Sequence, residues 1–240
     1  MGGGGRVSAA FRLLFGSLMT RGRLLVLGAL GLIPVLLGLA LRASELDTLE
    51  AAHQAIVQAY GLGLLVPVVS LVFASAAFGD AVDDRTLVYL WLKPVARWKL
   101  VAAAMGASLI VALPLSVVPI ALGVSLSGAG SALVRGAVFG TVISVVAYCA
   151  LFLGLGLRVR RSLMWGLAYV LIWEGAVART ARGAAQLSVN VYARSLVSRV
   201  ADVELPRNAS GMAAAVIVPL VFTLVALGVT VWWLSKADVA

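Results

Sequence analysis

Asp80, Asp83 and Asp84 form a D-x-x-D-D cluster. Such a cluster can hold Mg²⁺ on a diphosphate, because the ion takes a few carboxylates and completes its shell with phosphate oxygens. An intramembrane prenyl or lipid-phosphate transferase built this way needs a second acidic cluster on the same side. The paired acids Asp202 and Glu204 fall on the opposite face in the topology below. The same three aspartates also read as solvated helix-capping acids or as contacts to a partner. Glu174 is the one acid within an apolar span, where inserting its charge costs roughly 2 to 3 kcal/mol or more. About one turn from the outer end, it is expected to pair with an arginine such as Arg179 or Arg182, to face a pathway, or to carry a proton in a secondary transporter. His53, the sole histidine, reads as an exposed loop residue. Cys149, the sole cysteine, lies in an apolar run, so disulfides within the chain, multi-cysteine metal sites and His-Glu-x-x-His zinc motifs are all excluded. No catalytic residue, metal ligand or cofactor site is assigned.

The elements that position these residues follow from composition. The 240 residues are 62% hydrophobic and 12% charged, against about half apolar and a quarter charged in soluble domains. Uninterrupted apolar length predicts six membrane spans, at roughly Leu24 to Leu41, Ala55 to Gly79, Leu100 to Gly123, Gly136 to Leu157, Ser162 to Ala178 and Met212 to Leu234. The first lacks a small-x-small cleavage site and reads as a retained span. The fold class is therefore all-α integral membrane, with residues 1–240 as one domain. Pro34, Pro67, Pro114 and Pro119 fall inside spans and permit kinks. Trp173, Trp232 and Trp233 suit interfacial anchoring.

The net charge of +9 is gathered in clusters beside the spans and not along one solvated face, which argues for membrane orientation and against nucleic acid. Arg6, Arg12, Arg21 and Arg23, then Arg85, Lys93, Arg97 and Lys99, then Arg158, Arg160 and Arg161, and finally Lys236 all fall on one side. Both termini are thereby expected to be cytoplasmic. The excess of arginine over lysine in an Ala-, Val- and Gly-rich chain points to a bacterial cell membrane. The arginines of the 179–211 outer loop run against this trend. Residues 1–23 are expected to include an amphipathic interfacial helix. Leu187, Val191, Leu196, Val200 and Val203 in the outer loop suggest either a helix or helical hairpin dipping into the outer leaflet or an ordinary amphipathic surface helix.

The cytoplasmic stretch 80–99 joins a helix start to a helix stop. The aspartates suit a helix N-terminus and Pro94 ends the element. Leu87, Leu90 and Trp91 lie on one side of about three turns of helix. The order Asp80, Asp83, Asp84, then Arg85, Thr86, Leu87, then Tyr89, Leu90, Lys93, Pro94, Val95 and Arg97 resembles the ABC-2 type transporter permeases. In that family an acidic cluster, a Gly-Thr-Leu or similar triplet, a short apolar run, Pro-Val or Pro-Ile, and an Arg link spans two and three. Tyr169 to Ala178, followed by Leu187, Ser188 and Tyr192, resembles the family's fifth span and outer segment. Arg85 stands where Gly is common, and Ala103 and Ala104 stand where a Lys often follows.

The resemblance implies the transmembrane half of an ATP-driven exporter. Two such chains, identical or related, would pair among membrane lipids, each resting on a separate ATP-binding cassette ATPase. The segment from Asp80 to Arg97 would be the coupling helix. No G-x-x-x-x-G-K-[ST] occurs in the chain, so ATP and Mg²⁺ are expected on the partner.

Overall fold

The structure is a computed structural model that describes residues 18, 20–44, 47–83, 96–177, 186, 188–206 and 209–236, excepting the side chains of 80–83, 176 and 177. All regular structure among these residues is helical. Five helices are long and apolar enough to cross a membrane: Arg21–Arg42, Thr48–Gly79, Arg97–Ser127, Ser131–Arg158 and Met212–Lys236.

We number the elements α1 (Arg21–Arg42), α2 (Thr48–Ala52), α3 (His53–Leu65), α4 (Val66–Asp83), α5 (Arg97–Ser127), α6 (Ser131–Arg158), α7 (Ser162–Ala168), α8 (Tyr169–Val177), α9 (Val189–Ala201) and α10 (Met212–Lys236). Helices α2, α3 and α4 follow one another without a break, and α3 and α8 are wound as π-helices. The predicted interfacial helix over 1–23 lies almost wholly outside the described residues.

The first span buries only Leu27, Gly31, Pro34 and Gly38, a single stripe. That stripe crosses α5, where a Cβ on Gly38 would collide with the Gly123 carbonyl. Small residues give membrane helices this close approach because dispersion replaces the hydrophobic drive in lipid. Leu25, Val26, Leu32 and Leu36 turn outward. The long α5 ends on Gly128, whose φ of 82° leads with Gly130 into a tight turn.

The centre of the bundle is α6, packed by α4, α5, α9 and α10. Its backbone meets α4 where Gly156 lies against Ser75, and meets α9 where Gly136 and Gly140 lie against Val197 and Ala193. Tyr148 and Phe152 stack at 5.9 Å, and Tyr169 of α8 meets Phe152 edge-on at 6.1 Å.

One expectation needs revision. The second span starts at Thr48, capped by Asp47, whose carboxylate accepts from the Leu49 N–H at 3.0 Å, so His53 is helical and fully buried instead of an exposed loop residue. The predicted fifth span, Ser162 to Ala178, is helical over residues 162–177.

Candidate functional site

Several basic residues and two of the three clustered aspartates, Asp80 and Asp83, converge on one end of the bundle. A Cβ on Gly79 would lie 3.2 Å from Ser162 Oγ, so the end of α4 adjoins the turn holding Arg158, Arg160 and Arg161. Gly154 of α6 faces Thr230 and Trp233 of α10, which brings Lys236 to that end too. Asp80 and Asp83 sit on the last turn of α4, and Arg97 opens α5. Asp84, Arg85, Thr86, Leu87, Leu90, Trp91 and Pro94 lie outside the described residues. Beside Arg97, Trp98 is exposed and carries Lys99 Nζ 5.5 Å from its ring centre.

A second polar region lies deep in the bundle, centred on Glu174, which is 3% exposed. Its carboxylate accepts hydrogen bonds from Ser188 Oγ and, at 3.4 Å, from Tyr169 Oη, with the Val189 N–H also reaching it. The buried Tyr148 hydroxyl borders the same carboxylate without making a well-formed hydrogen bond. Ser188 also caps α9, accepting from the Val191 N–H at 3.4 Å. The carboxylate thus sits on the positive end of a 13-residue helix, where a helix dipole favours an anion.

The height of this layer follows from α6. At about 1.5 Å per residue, Tyr148 is about 15 Å from the Arg158 end and about 25 Å from the Ser131 end. Glu174 therefore lies level with the middle part of α6 and not beside either of its ends. Half-buried Trp173 lines a cavity with Tyr169 and Ser188. From this level α9 runs back toward the Ser131 end, because Asn190 bonds Leu62 while Val197 lies against Gly136. The outer segment is helical over Val189–Ala201 and packs against α3, α6 and α10. Arg179 and Arg182 lie outside the described residues.

Three rungs fasten α9 to α3. Asn190 Nδ2 donates to the Leu62 carbonyl at 3.0 Å, Arg194 Nη2 donates to the Gln58 carbonyl at 2.9 Å, and Ser198 Oγ lies 3.3 Å from His53 Nε2. Positions 190, 194 and 198 share a helix face. The Leu62 carbonyl needs this help because the N–H five residues on, its π-helical partner, would belong to Pro67, which has none. Likewise the Leu30 carbonyl, which faces Pro34 four residues later, accepts from Tyr60 Oη at 2.7 Å.

The π winding also makes pairs that α-helical spacing hides. His53 Nε2 lies 2.9 Å from Gln58 Nε2, five residues apart, as are Tyr169 and Glu174. In an α-helix such residues point about 140° apart; π winding brings them onto one face. The sequence signals available were the two prolines and the polar set Asn190, Arg194 and Ser198, whereas apolar spacing drew attention to other residues.

No curated protein and no solved structure matches the chain. The family described as ABC-2 family transporter protein matches residues 21–179, roughly two-thirds of the sequence, from the first span through the acidic connection to the Glu174 helix. The chain therefore belongs to the ABC-2 family of transporter proteins and is a membrane permease component.

Proposed function

We propose that this permease forms the translocation pathway of an exporter as a dimer, with separate ATPase subunits supplying ATP hydrolysis and binding the nucleotide and Mg²⁺. The observation that carries this reading is the family match across residues 21–179, which includes the whole acidic connection. The bundle has no nucleotide-binding motif, so motion must enter through a contact. The end bearing Asp80, Asp83 and Arg97 offers the longest connection between predicted spans on the cytoplasmic side of this reading. In this reading residues 80–99 dock into the ATPase through Leu87, Leu90 and Trp91, both termini share that cytoplasmic side, and residues 162–177 extend into a sixth membrane element.

Truncating buried anchors at an interface centre commonly costs about 1 to 4 kcal/mol. The test is co-purification with a candidate ATP-binding cassette ATPase. Leu87→Asp should detach or uncouple the ATPase while the permease remains inserted and folded. Full complex formation with coupled transport in that variant would remove the docking assignment.

A further inference from the structure

We propose that the cleft between α6 and α10 binds an anionic glycerophospholipid from the leaflet at the Arg158 end, one acyl chain lying along the cleft and the phosphate held at Arg158. The cleft is a cavity of about 240 Å³ whose lining is carbon almost throughout, running from Arg158 and Trp233 to Leu151 and Phe222. Its floor is closed, because a Cβ on Gly154 would lie 2.8 Å from Thr230 Oγ1. Its rim is open: Val225 is 59% and Val229 38% exposed.

Length and charge identify the occupant. Phe222 to Trp233 spans about 16 Å at 1.5 Å per residue, half of a hydrocarbon core about 30 Å thick. The cleft therefore covers one leaflet's worth of acyl chain. Its only charged lining residue is Arg158, at the end where the headgroup would lie, and Arg160 and Arg161 are exposed beside it. Lys236 follows Trp233 by one turn, its Nζ 4.4 Å from the Trp232 ring centre. A guanidinium binds phosphate through two parallel hydrogen bonds, and tryptophan favours the headgroup level. A carbon-lined trough ending in cations calls for an amphiphile with an anionic head; a second copy's apolar helix would leave the charge unmatched. The inference needs only the membrane setting and is independent of ATPase docking.

The test is native mass spectrometry of the full chain in detergent with equal phosphatidylglycerol and phosphatidylcholine of matched acyl chains. Wild type should retain phosphatidylglycerol several-fold more strongly. Arg158→Gln should bring it down to the phosphatidylcholine level, and Val225→Trp, at an exposed position that leaves the fold intact, should lower both. Equal retention of the two lipids by wild type, or unchanged retention in Val225→Trp, would overturn the proposal. So would efficient chain-to-chain crosslinking of Val225→Cys in a Cys149→Ser background, which would make the cleft a subunit contact.

Discussion

Leu30 and Leu62 each carry a carbonyl whose helical partner is a proline, and each is met by a side chain from another element. In lipid no water substitutes for these donors, so their removal exposes the full desolvation penalty, about 1 to 3 kcal/mol for a buried acceptor. Asn190→Leu should accordingly lower the thermal midpoint of the detergent-purified chain. Adding Pro67→Ala, which restores an N–H, should recover much of that loss. If the double variant falls further than Asn190→Leu alone, the carbonyl account is wrong. Glu174 belongs to the same class of problem, a buried acceptor with convergent donors. Glu174→Ala should cost about 1 to 3 kcal/mol and Glu174→Gln less, because the amide oxygen keeps an acceptor. Removing Ser188 Oγ should cost less in the Glu174→Ala background than in the wild type, because only its cap on α9 is then left to lose, the signature of coupled residues. A wild-type midpoint in Glu174→Ala would show the layer to be incidental.

Between elements, close backbone contact at glycine decides the packing. At Gly38 a side chain would meet the Gly123 carbonyl, and overpacking of this kind typically costs about 1 to 3 kcal/mol. Gly38→Leu should therefore loosen α1 from α5, read as faster proteolysis between the two helices and a lower midpoint; an unchanged midpoint would mean that α1 contributes little. The long spans were legible in the sequence, since apolar length alone sets them. Two features were not. Neither apolar length nor a period of 3.6 shows five-residue pairs such as His53 with Gln58 in α3. The level of Glu174 along the bundle was not legible either, because an apolar run reveals length but not where the chain reverses, and contacts between elements fix that level. Arg194 and Arg199 depart from the charge trend of outer loops, and both serve hydrogen bonds, to the Gln58 and Ser210 carbonyls.

For the whole molecule, the convergence of Arg158, Arg160, Arg161, Lys236 and the α4 terminus at one end predicts a single cytoplasmic face. In a Cys149→Ser background, a membrane-impermeant maleimide applied to intact cells should modify a cysteine at position 204 and spare one at position 160. Modification at 160 from outside would invert the topology and move the proposed ATPase contact to the wrong side. The rung between Asn190 and Leu62 joins residues 128 apart in the chain, and this has a consequence in time. At about 5 to 20 residues per second of synthesis, Leu62 emerges roughly 6 to 25 s before the side chain that completes it. For that interval the second span is a nascent helix with an open acceptor in lipid, so its early residence in the membrane depends on whatever the insertion machinery supplies until the last third of the chain arrives.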